Sequence, residues 1–256
     1  MKHFEAAFAT WVVNNRLKVI ALSILLIIVP GTGLSKLYFD ASYRVYFGED
    51  NPQLADLEAI EAIYTENHNV LIVVAPKNGD AFTAITLQAI EELTDAAWQV
   101  PYSRRVDSIT NFQYTYAEED DLIVQDMAKN ASTYTPDQLL AVKKAVLGEP
   151  ALLRRLISES GHVTGVNITL SMPEDELTTA TPAIAKEARK IAKELEQRYP
   201  DLKTYISGVV MLDNSFSESA INDFTHLVPI SFVLMMGLIS ILVGGIAGTL
   251  VTMIII

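Results

Sequence analysis

The chain has 256 residues, half of them hydrophobic, and its 31 acidic and 19 basic side chains give a net charge of −12. Because like charges repel, this acidity argues against nucleic acid as a partner and against docking on an anionic lipid surface. The chain has no cysteine, which excludes disulfide bonds and thiolate metal sites.

The charge is distributed unevenly along the chain. Residues 1–18 carry a net charge of +2, residues 31–226 carry 16 Lys and Arg against 30 Asp and Glu, and residues 227–256 carry no charge. The acidity therefore belongs to a middle section of roughly 190 residues, which is long enough for one large domain or two small ones.

The N-terminal segment, residues 1–16, is predicted to form an interfacial amphipathic helix. Phe4, Phe8 and Trp11 recur at helical spacing, which gives an apolar stripe with an aromatic residue suited to a lipid interface. A frayed terminus without a function is the alternative interpretation.

Residues 17–35 are predicted to form the first transmembrane helix, since they are apolar apart from Lys18. A cleaved signal peptide is the competing interpretation, but the stretch 30–33, Pro-Gly-Thr-Gly, is a poor cleavage site. Arg16 and Lys18 on the N-terminal flank predict a cytoplasmic N-terminus. The acidic section would then lie outside the cytoplasm.

A first β-α-β unit is predicted at about residues 69–111, after a short helix from Pro52 to Tyr64. It consists of a buried strand from Asn69 to Ala75, an amphipathic helix from Thr83 to Trp98, and a returning strand from Arg105 to Thr110.

A second β-α-β unit is predicted at about residues 162–209. Its strands run from His162 to Ser171 and from Leu202 to Val209, and its helix runs from Thr179 to Tyr199. Two such units are the expected contents of split β-α-β, ferredoxin-like modules.

The section between the two units is predicted to hold a polar meander from Phe112 to Met127 and two short helices. The helices are expected from Pro136 to Leu147 and from Ala151 to Ile157. Together with the two units, these elements predict an α+β domain that occupies residues 36–225.

The last thirty residues, Leu227 to Ile256, contain no charged residue and no histidine. As one helix they would extend ~45 Å, against a hydrocarbon core of ~30 Å. We therefore predict a second transmembrane helix at 226–243, a turn at Gly244-Gly245, and the truncated start of a third helix at 246–256. The glycines could instead mediate close packing between helices. A helix from Asp213 to Phe224 is expected to lead directly into the second span.

Four stretches, found in order along the chain, carry a family resemblance. They are Phe39 to Leu54 (FDASYRVYFGEDNPQL), Gly79 to Thr83 (GDAFT), Ala97 to Gln113 (AWQVPYSRRVDSITNFQ) and Glu119 to Val124 (EDDLIV). This set resembles the N-terminal part of resistance–nodulation–division (RND) transporters, in the MMPL-type, hydrophobe/amphiphile-efflux branch. One departure is that Gly244-Gly245 stands where the family usually has a basic residue at the end of the second span.

The resemblance implies a function and a location. Residues 36–225 would be a periplasmic porter domain in a multi-pass protein of the bacterial inner membrane. The whole protein would export hydrophobic or amphiphilic compounds or lipids, driven by protons. Its partners would be the lipid bilayer, the substrate, the remaining transporter spans and possible further copies in a homo-oligomer.

The coupling residues are not expected in this part of the chain. An ionisable residue inside a membrane is costly and usually marks a proton relay. None lies between Val19 and Leu34 or between Leu227 and Ile256, so the resemblance implies a relay in a later span. No catalytic motif, cofactor or metal site is expected.

Three aromatic residues are candidates for an apolar substrate path. Phe112, Tyr114 and Tyr116 alternate, so in a strand they share one face. They could equally be half-buried residues of a sheet.

Metal binding is the less favoured interpretation of the remaining candidates. Glu118, Glu119, Asp120 and Asp121, with Asp126, could bind Ca²⁺, but adjacent acids point apart and the loop lacks the glycine of a calcium loop. Four histidines show neither helical pairing nor a neighbouring cysteine: His3, His68, His162 and His226.

Two other classes of protein share this layout. The permease subunit of a mechanotransmitting ABC system has one span, a large extracytoplasmic domain and further spans, but it needs a separate ATPase. A two-span sensor with a ligand-binding ectodomain would need a cytoplasmic signalling domain after its second span.

Overall fold

The computed structural model describes residues 8, 10–33, 47, 51–64, 68–118, 121–173, 176–243 and 245. The chain divides into two units, of which one comprises Ala41–Glu218 and the other comprises Met1–Asp40 with Ser219–Ile256. The predicted start of a third membrane helix, residues 246–256, lies outside the described residues.

Mixed α+β structure fills the unit Ala41–Glu218. Its helices are α2 (Pro52–Tyr64), α3 (Ala84–Ala97), α4 (Pro136–Gly148), α5 (Leu177–Arg198) and the first part of α6 (Val209–Asn222), and its strands are β1 (Asn69–Pro76), β2 (Ser103–Asp107), β3 (Gln113–Glu118), β4 (Asp121–Asp126), β5 (Thr164–Leu170) and β6 (Leu202–Ser207). A 3₁₀ turn, Ala131–Thr133, precedes α4.

Four strands form one antiparallel sheet in the order β2-β5-β1-β6. Strands β1 and β2 are joined through α3, and β5 and β6 through α5, so the two β-α-β segments interleave in a single sheet. The predicted strand–helix–strand order of both segments is confirmed. The polar meander is a hairpin in which β3 pairs with β4 as a separate two-stranded sheet.

One face of the four-stranded sheet packs against helices α3 and α5, and we call it the covered face. In β1 every second residue is buried. The buried residues Val70, Ile72 and Val74 pair with three residues of β5 that are buried as well, Ile168, Val166 and Thr164. Helices α3 and α5 supply buried residues at the predicted helical spacing, namely Leu87, Ile90, Leu93, Ala97, Ile184, Ala188, Ile191 and Leu195. Full burial of each large aliphatic side chain stabilises the fold by ~1.5–3 kcal/mol.

Helix α3 begins where its sequence provides a cap. Thr83 has an extended backbone, and its side-chain oxygen accepts a hydrogen bond from the backbone N–H of Thr86 at 3.1 Å. The cap satisfies one of the backbone donors that the first turn of a helix leaves without a partner.

A polar network ties α3 to the end of α5. The carboxylate of Glu92 accepts hydrogen bonds from Arg198 Nη1 at 2.5 Å, from the Tyr199 hydroxyl at 2.8 Å and from the Gln88 amide at 3.2 Å. Burial acts to raise the pKa of Glu92, but these hydrogen bonds together hold it below its ordinary value. Burial, with the bond to Glu92, raises the pKa of Tyr199 to about 12.

One predicted helix is wrong. Residues 151–157 form turns, and Ile157 makes an antiparallel bridge to Thr164 instead of completing a helix. Pro150 disfavours helical backbone at the residue before it, and seven residues are too few to form a stable helix on their own. Burial of Leu152 and Ile157 therefore decides the conformation of this segment.

The predicted strand from Leu202 to Val209 ends earlier, at Ser207. Gly208 has a φ of +113°, and a Cβ atom there would lie 2.4 Å from the backbone oxygen of Asn69. Only glycine accommodates this close approach. Val209 then begins α6, and its backbone N–H donates to the side chain of Asn69 at 3.2 Å. The strand predicted from Arg105 to Thr110 likewise lies earlier, at β2.

The C-terminal helix is the membrane candidate in the described part of the chain. Helix α6 continues through a π-helical turn, Asp223–Leu227, into α7, Val228–Val243, as predicted. Among the described residues, Val209–Leu242 is the one helix long and apolar enough to cross a membrane, and 0% of its most apolar window is buried.

The first predicted span is a shorter helix. Helix α1, Arg16–Gly31, has 16 residues, and Leu17, Leu26 and Val29 on it are exposed. It extends about 24 Å, less than a typical hydrocarbon core. Its role as a membrane helix therefore stays a prediction. In the segment before it, which is predicted to be interfacial, the rings of Phe8 and Trp11 stack with their centroids 6.3 Å apart, and Phe4 lies outside the described residues.

Candidate functional site

The second face of the four-stranded sheet is only partly covered by the described residues, and we call it the open face. It carries the alternate residues of β1, including Leu71 and Val73, opposite Asn167 and Gly165 of β5. Its β6 side carries Tyr205, which is 52% exposed, with the ammonium of Lys203 at 5.3 Å from the centre of its ring. The part of this face that the described residues leave exposed is available to a ligand.

A cleft of about 150 Å³ lies on the open face. Leu71 and Val73 of β1 and Gly165 of β5 form one wall, and residues 154–158 form the other, including Arg154, Arg155 and Ile157. A Cβ atom on Gly165 would lie 2.9 Å from Leu71 Cδ1, so glycine leaves space here that any other residue would reduce.

The segment that carries the arginines is held by backbone hydrogen bonds to β5 and within itself. Gly165 N–H and the Thr164 hydroxyl both donate to the carbonyl of Leu156 at 2.8 Å, and Arg154 N–H donates to the carbonyl of Ile157 at 2.8 Å. Arg154 has a φ of 64°, in the left-handed region that non-glycine residues rarely adopt. Such conformations persist only where the surroundings enforce them.

The two arginines differ in their partners. Arg154 Nε donates to Glu159 Oε1 at 2.5 Å, so its charge is compensated. The side chain of Arg155 is exposed and makes no hydrogen bond or ion pair with any residue that the structure describes. Arg155, which lines the cleft, therefore has a guanidinium group without a partner among the described residues.

The polar groups at the end of the cleft form a turn. Ser158 Oγ accepts the backbone N–H groups of His162 and Val163, each at 3.1 Å, and His162 Nδ1 lies 3.1 Å from the same oxygen. A serine nucleophile needs a base that a third group orients. Here the hydroxyl oxygen is used by the backbone, so the geometry favours a structural turn.

The predicted aromatic residues lie away from this cleft. Phe112 precedes β3, and Tyr114 and Tyr116 lie in it, all three half-buried. Phe112 and Tyr114 pack against the hydrophobic core, while the ring of Tyr116 stacks on Tyr114 with 5.6 Å between centroids. The structure thus brings the two tyrosines together, and their role in a substrate path stays a prediction.

The predicted metal candidates do not come together in the described part of the chain, where no group of three or more His, Asp or Glu could hold a metal ion. Asp126 instead accepts a hydrogen bond from Gln113 at 2.6 Å and lies 3.6 Å from Lys129. His226 Nδ1 lies 3.1 Å from the carbonyl of Asn222 in the π-helical turn. Glu119, Asp120 and His3 lie outside the described residues.

Sequence reasoning missed the cleft entirely. The signal it passed over is Arg154-Arg155, two adjacent cations followed by apolar residues in a section of strongly negative charge. The continuous apolar run of β1 offered a second signal, because it places apolar residues, Leu71 and Val73, on the side opposite the core as well.

Comparison with known proteins identifies no family for this chain. No protein-family model matches it, and no curated protein matches it either.

Proposed function

We propose that the chain is the N-terminal part of a proton-driven RND-type exporter of hydrophobic or amphiphilic compounds, including lipids, in the bacterial inner membrane. The observation that supports this proposal is helix Val209–Leu242, which begins within the α+β unit and continues beyond it, and whose most apolar window is 0% buried among the described residues. Apolar side chains exposed on all sides of a helix are stable in lipid and unfavourable in water.

The fold of the soluble unit supports the same proposal. Two β-α-β segments share one sheet in which β1 and β5 are adjacent and β2 and β6 lie at the edges, and this arrangement supports our proposal that the unit is a ferredoxin-like module. Such modules are expected in the porter domain by the resemblance of the four stretches given above. The periplasmic placement of residues 36–225 and two further spans are part of the proposal.

The test uses inner-membrane vesicles that contain the full-length gene product and are loaded with an amphiphilic dye. It measures the export of the dye from the vesicles. We expect export to require a proton gradient and to stop when an uncoupler collapses it. Export that continues without the gradient and requires ATP would contradict the proposal and would favour an ABC-type system.

A further inference from the structure

We propose that the cleft between residues 154–158 and the open face binds an oxyanion, a phosphate or carboxylate, that is attached to a short apolar chain. As a statement of substrate class this rests on the proposed export function, since it makes the cleft the place where an acidic amphiphile is held. The cleft itself is a feature of the unit Ala41–Glu218 alone.

Charge supports an anionic ligand. The section that contains the cleft, residues 31–226, carries 30 acidic against 16 basic side chains. None of the residues that line the cleft is acidic, and two of them are arginines. Arg155 has no partner among the described residues, and a guanidinium group matches the geometry of a phosphate or carboxylate with two parallel hydrogen bonds.

Apolar surface supports an attached chain. Leu71 and Val73 are only partly buried by the protein, and together with Ile157 they line the cleft beside the arginines. Burying what remains exposed of these side chains under a ligand chain is favourable, by the same effect that drives the core together. A free inorganic anion would not use this surface.

Volume limits the size of the bound group. At about 150 Å³ the cleft is smaller than the ~300–1,000 Å³ of pockets that enclose a whole drug-sized ligand. It therefore takes the head group and the first carbons of an amphiphile, and leaves the rest of the chain outside.

The experiment is calorimetric titration of the full chain, purified in a neutral maltoside detergent, with three probes: hexyl phosphate, inorganic phosphate and hexanol. We expect hexyl phosphate to bind one-to-one and more tightly than either of the other two. Arg155→Gln should weaken its binding about tenfold, which corresponds to about 1.4 kcal/mol. Arg155→Lys should weaken it less, because the charge remains.

Two further variants separate charge from shape. Arg104→Gln removes another exposed arginine that lies outside the cleft, and it should leave the affinity unchanged. Gly165→Ala narrows the cleft beside Leu71, so it should weaken the binding of hexyl phosphate and leave the binding of inorganic phosphate unchanged.

Several results would overturn the inference. Equal affinity for hexyl phosphate and inorganic phosphate would show a site for free anions, and equal weakening by Arg155→Gln and Arg104→Gln would show unspecific attraction. Absence of binding together with intact proton-driven export would contradict the inference alone. Binding as expected without proton-driven export would contradict the proposed function alone.

Discussion

The covered face of the sheet and helix α7 are both strongly apolar, but the apolar residues of the covered face are mostly buried and those of α7 are mostly exposed. Ile72 on the covered face is 0% exposed, whereas Leu238 on α7 is 63% exposed, and Leu234, Ile241 and Leu242 on the same helix are exposed as well. In β1 buried residues alternate with partly exposed ones. In α7 apolar residues follow one another without a polar face. The sheet therefore buries apolar residues inside the protein, whereas those of α7 stay exposed and would be buried by the membrane that we propose.

The largest expected effect comes from removing a side chain of the covered face. Ile72→Ala should lower the free energy of unfolding by ~2–5 kcal/mol, because it removes buried methyl groups and leaves a cavity. Denaturation in urea, followed by circular dichroism, measures this. Ile85→Ala, at a position that is 65% exposed on α3, should change it by no more than ~0.5 kcal/mol. Equal effects would contradict the assignment of the core.

The matching change in α7 should affect membrane insertion and leave the unit Ala41–Glu218 unaffected. Leu238→Arg places a charge near the middle of the proposed span, at a cost of ~2.5–3.5 kcal/mol for insertion. A glycosylation-based insertion assay measures this cost. Leu212→Arg on α6, outside the proposed span, is the control and should insert like the unchanged chain. If both variants insert equally well, α7 does not cross the bilayer.

A smaller effect is expected at the start of α3. Thr83→Ala removes the side-chain cap from Thr86 N–H and should lower the free energy of unfolding by ~1 kcal/mol. Thr83→Ser keeps the hydroxyl and should retain most of this stability. Urea denaturation distinguishes the two, and an equal loss in both would indicate that the cap does not matter.

The smallest effect depends on pH and concerns Glu92. Its pKa is lower in the folded chain than the ordinary value of 4.5, so its contribution to stability is present above about pH 4.5 and is lost as the pH falls through the folded-state pKa. Glu92→Gln should therefore lose less stability than the unchanged chain on acidification below about pH 4.5. Asp95→Asn, an exposed change on the same helix and outside the Glu92 network, is the control for a general effect of removing one carboxylate. Identical acid profiles for Glu92→Gln and the unchanged chain would contradict this role.

Most elements with a strong periodic pattern could be predicted from the sequence. The bounds of α2 agree with the prediction, and α3 and α5 differ from it by one or two residues, because their apolar spacing is a local signal. The end of β6 could not be predicted, since it depends on the contact between Gly208 and Asn69, 139 positions earlier in the chain.

The cleft could not be predicted from local sequence signals either, because contacts between distant parts of the chain form it. The segment 151–157 has a helical pattern, but its conformation is set by burial of Leu152 and Ile157 and by the bridge to Thr164. The position of Arg155 beside Leu71 depends on the pairing of β1 with β5, which are far apart in the sequence. The aromatic residues Phe112 and Tyr114 gave a clear alternation, but alternation alone does not distinguish a core face from a binding face.

The central claim is that α7 crosses a membrane and that the α+β unit lies on its outer side. Because the chain has no cysteine, one introduced cysteine is a unique label. Asp201→Cys, at a side chain that is 96% exposed, tests the claim with a membrane-impermeant maleimide added to intact spheroplasts. The account predicts full labelling of intact spheroplasts. Labelling only after the membrane is broken would place the unit in the cytoplasm and contradict the account.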